Sequence, residues 1–305
     1  MIKFNKELQE YKSKDFGVIS IDVNGTKKHD DAYSIDRYDD DHIFVAVYIS
    51  NPLYYDITNQ MVNSILKNGT SEFSSFRAQP YLDDNVLSDE EARPVYAFKM
   101  LIDLDGNVTD FAINKEEVEV DYFLDENDIL ELENIDKEDA NDKILVLSLM
   151  LRIMKNMNSL IRSKYKEQGL GTVSDEISFT DFYTYLSMFK QVAERETTKL
   201  LEKENMPVLY YNSYEVTGGV RYVVNYFETH FSSNLIYNYP VATFTSPLRK
   251  TADFINLAVL DDAISCDDKD KDEIREKWKK KLDGKRIYKS KNNSKNNHNG
   301  GNNNK

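Results

Sequence analysis

Residues 18–33 read VISIDVNGTKKHDDAY, and this stretch decides how the rest of the chain is interpreted. Its first residues are mostly apolar and predict a short strand that delivers Asp22. An Asn-Gly pair at 24–25 then predicts a turn, and Asp30 and Asp31 follow as neighbours. Adjacent side chains of a regular strand point to opposite faces, so these two carboxylates can share one site only where the backbone is irregular.

Three aspartates at this spacing indicate a cation site. Converging carboxylates repel one another unless they are protonated or hold a cation, and hard oxygen ligands suit Mg²⁺ or Mn²⁺. A plainer interpretation stays open, because the chain contains 53 acidic residues. In such a composition an Asp-Asp pair also fits a solvated turn.

A second informative stretch lies far downstream, where residues 244–253 read FTSPLRKTAD and are followed by FINLAVL. The apolar residues predict a helix that begins at Thr251 or just before it. Pro247 suits a position near a helix start, because its missing N–H would have no partner there. Taken alone, this stretch also fits a capped surface helix with a basic first turn.

Together the two stretches resemble the signatures of the ribonuclease II family, the RNB catalytic domain. The first follows the pattern T-I-D, five residues, D-x-D-D-A, and the second follows F-T-S-P-I-R-[RK]-x-x-D. Residues 69–73, GTSEF, resemble the family segment G-T-S-x-Y. Two positions depart from the family: Lys28 stands where an aspartate is expected, and Asn51 stands where an aspartate usually ends a strand.

The resemblance implies a 3′-to-5′ exoribonuclease that hydrolyses single-stranded RNA to nucleoside 5′-monophosphates with Mg²⁺, or alternatively Mn²⁺. Under this interpretation Asp22 and Asp31 hold the metal, and Asp30 positions or deprotonates the attacking water or shares the metal. Arg249 clamps the scissile phosphate with its planar fork.

The same resemblance implies a set of RNA contacts. Phe73 stacks a base near the 3′ end, since stacking on an aromatic ring tolerates any base. Ser246, Arg249 and Lys250 are expected to bind RNA as well. For Phe73 ordinary packing remains an equal alternative.

Lys28 leaves the activity open. Its ammonium could neutralise phosphate while three aspartates hold one metal, or it could pair with Asp30 and leave an inactive site. His29 is expected to point away. The main alternative is therefore a weakened or inactive pseudo-enzyme that binds RNA or a protein, and an unrelated acidic scaffold is a remote third.

Composition sets the broad class of the chain. Its 305 residues are 40% hydrophobic and 12% aromatic, which is typical of a globular protein. We expect an α+β fold, with a mixed β-sheet curled around helices and a channel leading to the carboxylate cluster. The expected segments are a polar lead (1–13), an RNB-like domain (14–262), a charged helical segment (263–290) and a disordered Asn/Lys-rich tail (291–305).

Charge and cysteine content bear on partners and location. The net charge of −14 disfavours a nucleic-acid partner unless a metal or a local basic lining offsets it. One cysteine, no apolar run of about 20 residues and no signal peptide predict an intracellular, cytoplasmic protein without a membrane segment. Because no cold-shock or S1 domain is recognised, weak RNA affinity and a protein partner supplying RNA-binding domains are expected.

The remaining pattern predicts the main elements. A strand is expected from Ile43, a hairpin at 93–113, and helices at 57–68, 144–165 and 180–203, the last interrupted or kinked near Gln191. The acidic stretch 124–143 is expected to be an exposed connector or a first helical turn.

Overall fold

The computed structural model describes residues 2–26, 29–54, 86–135, 141–171, 183–215, 222–228, 239–248, 250–283 and 286–288. The side chains of these residues are described except at 183–184, 212–215, 222–228 and 286–288. The helix predicted at 57–68 lies outside the described residues.

Two sheets hold the described strands. The larger sheet consists of β1 (Ile19–Ile21), β2 (Asp31–Arg37), β3 (His42–Ser50), β4 (Arg93–Asp103), β5 (Val108–Val118) and β6 (Tyr122–Leu124). Its order is β5-β4-β3-β2-β1-β6, and the β1–β6 pair is parallel while the others are antiparallel. The smaller sheet pairs β7 (Leu209–Glu215), β8 (Tyr222–Glu228) and β9 (Arg286–Tyr288). The mixed sheet is as predicted, whereas β9 is a strand where a helical segment was expected.

Six helices accompany these sheets within the described residues. They are α1 (Lys6–Glu10), α2 (Glu126–Asn134), α3 (Asp142–Glu167), α4 (Tyr183–Lys203), α5 (Thr251–Ser265) and α6 (Lys271–Leu282). The α+β class is therefore confirmed. The predicted strand at Ile43, the hairpin and the helices at 144–165 and Thr251 are also confirmed, with Gly106 supplying a positive φ of 83° in the hairpin turn.

Helix α2 corrects the expectation for the acidic stretch. Asp125 caps this helix, and it forms a reciprocal capping box with Asp128. Ile129 and Leu132 are buried in the main core. The many acids of this stretch obscured a short amphipathic helix whose apolar positions are few but correctly spaced.

The surroundings of strand β3 explain why its sequence is continuously apolar and does not alternate between apolar and polar residues. Val45 and Val47 lie in the core cluster that includes the helices α3, α4 and α5, whereas Phe44 and Ala46 lie in a second cluster with Leu8 of α1. Both faces of the strand are therefore covered. A strand buried on both faces reads as a continuous apolar run, as residues 43–49 do.

Helix α3 is the longest helix described. Its buried side includes Leu151, Met154 and Ile161, which join the main core, while Val146 and Leu149 are exposed. By length and composition alone this helix is apolar enough to cross a membrane, a test that the core helix of a soluble protein also passes. Its buried stripe is what a core helix also requires.

Helix α4 runs uninterrupted from Tyr183 to Lys203, so the predicted interruption near Gln191 is wrong. The side chain of Gln191 is buried, and its amide donates to the carbonyl of Gly171 at 2.7 Å and to the hydroxyl of Tyr239 at 2.8 Å. A polar residue on the core side of this helix is thus satisfied by tertiary contacts, without any break in the helix.

Lys99 of β4 fixes the N-terminal segment to the sheet. Its wholly buried ammonium donates to the carbonyls of Gln9 and Tyr11, at 2.7 and 2.8 Å, and to Glu116 at 3.0 Å. Burial lowers the pKa of Lys99, and the neighbouring Glu116 partly opposes that shift. The ammonium is therefore the common partner of two backbone carbonyls and one carboxylate.

We predict that Lys99→Met lowers the free energy of unfolding by about 3 kcal/mol, because it leaves Glu116 without its buried partner. Urea denaturation would measure the loss. The control Lys6→Met removes a lysine from an exposed pair with Glu10 and should leave stability nearly unchanged. Equal effects of the two substitutions would contradict the anchoring role.

Candidate functional site

Asp22 lies directly after β1, as predicted. Its N–H donates to the carbonyl of Leu124 in β6 at 3.1 Å, and its carboxylate accepts from the Ser20 hydroxyl at 3.1 Å. Nδ1 of His29 lies 2.5 Å from the same carboxylate oxygen. The expectation that His29 points away is therefore wrong, because residue 29 lies outside a regular strand and its ring packs against Phe123.

Asp30 joins the two sequence motifs. It is buried, and its carboxylate accepts from the backbone N–H of Leu248 at 3.2 Å, across 218 residues of sequence. Its own carbonyl accepts from Ser50 at the end of β3, at 2.9 Å. Asp30 thus lies immediately before β2, where its side chain contacts the downstream FTSPLRK stretch.

Asp31 begins β2 and contacts a different element. Its buried carboxylate accepts a short hydrogen bond from the Tyr33 hydroxyl, which lies on the same face of the strand two residues away. The same oxygen lies 2.8 Å from the ammonium of Lys190 on α4. The carboxylate therefore already has a cation supplied by the protein.

Three acids of the site lie close enough to the Tyr33 hydroxyl for their charges to raise its pKa. The pKa of the buried Tyr33 is raised well above its usual value, first by burial and then by the negative charge of Asp31. The charges of Asp22 and Glu194 raise it further. The site therefore concentrates negative charge around the start of β2, which any RNA phosphate would have to overcome.

Asp253, in the first turn of α5, organises the downstream loop. Its fully buried carboxylate accepts from the Thr243 hydroxyl at 2.6 Å and from the backbone N–H of Ser246 at 2.8 Å. The ammonium of Lys250 lies 4.0 Å away, and 39% of the Lys250 side chain is exposed. Ser246 is thus placed as a buried loop residue, and Lys250 as a partly exposed cation at the helix start.

Glu194 of α4 holds the same loop from the other side. Its buried carboxyl accepts from the N–H of Phe244 at 3.4 Å and from the hydroxyl of Thr245 at 3.0 Å. Burial, reinforced by the charge of Asp253 and opposed by Lys250, raises the pKa of Glu194 to about 7. This acid therefore changes its protonation state near neutral pH.

Sequence reasoning missed both Lys190 and Glu194. In sequence they are an opposite-charge pair one helical turn apart, which fits a solvated salt bridge on a helix surface. In the structure they separate, because Lys190 turns to Asp31 and Glu194 turns to the loop at Thr245. Only the apolar residues between and around them signalled that this side of α4 is covered.

Several predicted site residues, namely Lys28, Phe73 and Arg249, lie outside the described residues, so their roles stay predictions. Asn51 is described and buried, and its side-chain oxygen accepts from the N–H of Leu53 at 3.0 Å. It therefore stabilises the turn after β3, a common use of asparagine.

A cavity of about 340 Å³ opens beside Asn51 and is lined also by Tyr96, Lys115 and Asp261. Hydrogen bonds from Tyr96 at 2.6 Å and Lys115 at 2.7 Å both end on Asp261. The described walls of this cavity do not include the three predicted metal ligands. The predicted channel to the carboxylates therefore stays a prediction.

The donor types at the site suit Mg²⁺, but their arrangement does not. Among the described residues, no three His, Cys, Asp or Glu side chains converge as a metal-binding group. Asp22 faces His29, and Asp31 faces Lys190 and Tyr33, so these oxygens already have partners within the protein. A shared metal would require these side chains to rearrange.

We predict that Glu194 makes stability fall as pH rises from about 4.5 to 7, because the folded state then holds a proton that the unfolded state has lost. Glu194→Gln has no such proton to lose. Its free energy of unfolding relative to that of wild type should therefore rise by about 3 kcal/mol as the pH increases across this window. Urea denaturation at pH 5 and pH 8 would measure it. The control Glu196→Gln, outside the buried network, should not reproduce the shift, and a pH-independent difference for Glu194→Gln would refute the assignment.

Comparisons with known proteins bear on the fold. The fold is similar to Mycoplasma genitalium RNase R in complex with ribose-methylated single-stranded RNA, with a TM-score of 0.66, 13% identity, and coverage of 92% of this chain and 56% of that chain. It is also similar to an active-site mutant of the Candida glabrata exoribonuclease Dss1, with a TM-score of 0.63, 14% identity, and coverage of 87% of this chain and 43% of that chain. A third similar structure is yeast Ssd1, a pseudonuclease, with a TM-score of 0.62, 10% identity, and coverage of 92% of this chain and 44% of that chain. The chain thus spans only about half the length of these proteins. No curated protein sequence matches it.

The family assignment rests on a sequence model. The model of the RNB domain matches residues 9–210, which includes the upstream aspartates and ends before the FTSPLRK stretch. The structural similarities, at 10 to 14% identity, show the fold alone. Because the match covers more than half of the chain, this protein belongs to the RNB domain family.

Proposed function

We propose that this chain is a 3′-to-5′ exoribonuclease that hydrolyses single-stranded RNA to nucleoside 5′-monophosphates inside the cell. The observation that carries the proposal is the hydrogen bond from the N–H of Leu248 to the carboxylate of Asp30. It brings together the two stretches that resemble the family signatures. A free, buried Cys266 fits the reducing interior of a cell.

The proposed roles follow from this contact. Asp30 acts on the attacking water, and Arg249, the residue after Leu248, clamps the scissile phosphate. Lys250 adds a partly exposed positive charge at the same loop. Ser246 keeps the loop in place through the bond from its N–H to Asp253 and contributes to RNA binding. Phe73 stacks a base near the 3′ end.

Mg²⁺, or alternatively Mn²⁺, is the proposed cofactor, with Asp22, Asp30 and Asp31 as its proposed ligands. Such an ion would neutralise charge on the phosphate oxygens. The side-chain arrangement described above favours partners from the protein at two of these three aspartates, so no catalytic step is assigned to the metal.

We predict that Asp30→Asn abolishes stepwise shortening of a 5′-labelled single-stranded RNA from its 3′ end, in a gel assay with Mg²⁺ or Mn²⁺. The amide keeps the size of the side chain but cannot accept a proton from water. The control Asp40→Asn removes an exposed carboxylate paired with Arg37 and should cleave like wild type. Cleavage that persists in Asp30→Asn, or is absent from wild type, would count against the proposal.

A second candidate function is an RNB pseudo-enzyme that binds RNA or a protein without cleaving. The specific observation in its favour is that Lys190 pairs with Asp31 and His29 with Asp22. Lys28, at a family aspartate position, would add a further positive charge. The similarity to Ssd1, a pseudonuclease, shows that the fold itself accommodates both kinds of protein.

We predict that Lys28→Asp raises the affinity for Mn²⁺ in a calorimetric titration, because it changes the local charge by two units in favour of a cation. The control Lys27→Asp makes the same charge change at the neighbouring position and should have a smaller effect. Equal gains from the two substitutions would show that Lys28 has no special place in the site.

A further inference from the structure

Lys190 supplies a positive charge at the place where the family resemblance puts a metal ion. Its ammonium lies 2.8 Å from the carboxylate of Asp31, whose side chain is 6% exposed, whereas the Lys190 side chain is 29% exposed. The ammonium also lies 5.8 Å from the centre of the Tyr33 ring, within range of a cation–π contact. The ammonium is therefore anchored on the strand side, and the Lys190 side chain is partly exposed to solvent.

The position of Lys190 is fixed by its helix. One turn further along α4, Glu194 accepts from the N–H of Phe244 and the hydroxyl of Thr245 in the downstream loop. The same helix thus contacts β2 through Lys190 and the loop through Glu194. Because α4 contacts both motifs, the ammonium is held at Asp31 without having to be recruited from solvent.

Lys190 and a metal ion would compete for the same oxygen. The oxygen of Asp31 that contacts Lys190 also accepts the hydrogen bond from Tyr33. Mg²⁺ requires oxygen ligands at about 2.1 Å in near-octahedral geometry and loses its bound water reluctantly. An ion could therefore use this oxygen only after Lys190 has moved away.

The charge balance at the site also requires a cation for RNA. Asp22, Asp30 and Asp31 concentrate negative charge, and the chain as a whole is at −14. Polyanion binding depends on positive side chains close to the phosphates. Among the described residues, Lys190 and Lys250 bring an ammonium to the two motifs, one on each side.

We propose that Lys190 is the resident cation of this site: its ammonium binds an RNA phosphate beside Asp31 without a divalent metal, and a metal ion reaches the Asp31 oxygen that Lys190 contacts only by displacing the ammonium. The inference rests on the RNA-binding part of the proposed function. It does not require that the RNA is cleaved.

Binding of a labelled single-stranded oligoribonucleotide, followed by fluorescence anisotropy, tests the first half of the proposal. In EDTA the wild-type chain should bind as tightly as it does in Mg²⁺. Lys190→Met should weaken binding in EDTA about tenfold at low salt and make the log–log salt dependence shallower by about 0.7, the value for one lost phosphate contact on a single strand. Loss of wild-type binding in EDTA would overturn the proposal.

Calorimetric titration with Mn²⁺ alone tests the second half. Removing the competing ammonium should raise the Mn²⁺ affinity of Lys190→Met about tenfold over wild type. The matched control is Lys199→Met, on the same helix, where the lysine pairs with Glu196 at 2.7 Å and 48% of its side chain is exposed. If the Lys190 and Lys199 variants behave alike in both measurements, Lys190 is not the resident cation.

Asp31→Asn keeps the proposal testable if Lys190→Met does not fold. It retains the ammonium and removes the neighbouring anion, so RNA binding in EDTA should be at least as tight as that of wild type. Weaker binding by Asp31→Asn would overturn the proposal.

The gel assay separates this inference from the proposed function. If no RNA is shortened but binding in EDTA depends on Lys190, the inference stands and the exoribonuclease falls. If RNA is shortened while Mn²⁺ binds wild type and Lys190→Met equally, the inference falls and the exoribonuclease stands.

Discussion

Buried carboxylates impose the physical constraint on which this site depends, because an ionised acid removed from water must be met by hydrogen-bond donors or by positive charge. The chain meets this constraint in three ways. Asp253 receives a hydroxyl and a backbone N–H, and Asp31 receives the ammonium of Lys190 and a phenol. Glu194, which lies near Asp253, is instead protonated in part at neutral pH.

These contacts also define the architecture around the site. Asp31 joins the start of β2 to helix α4, and Glu194 and Asp253 join α4 and α5 to the loop before α5, so polar contacts hold these elements together. Apolar packing brings the same elements together with less directional precision. Both faces of strand β3 are covered, and helix α3 buries one apolar stripe. Packing brings the elements together, and the acids fix how they face one another.

The fold alone does not decide between the two candidate functions. Similar folds occur in RNase R and in Ssd1, a pseudonuclease, so function has to be argued from the side chains of the site. In this chain the two candidate functions differ in the source of the positive charge at Asp31. A metal ion would bring catalytic chemistry with it, whereas the ammonium of Lys190 provides electrostatic attraction to phosphate and nothing more.

The sequence by itself determined the family, the strand at Ile43, the hairpin, the long helix α3 and the position of Asp22 directly after β1, because periodicity, turn residues and motif spacing are local properties of the chain. Tertiary structure decided which partner each acid receives. Lys190 and Glu194 look like an ordinary surface pair in sequence, and only packing against β2 and the downstream loop turned them inward. Such contacts join residues far apart in the chain, and a local pattern carries no information about them.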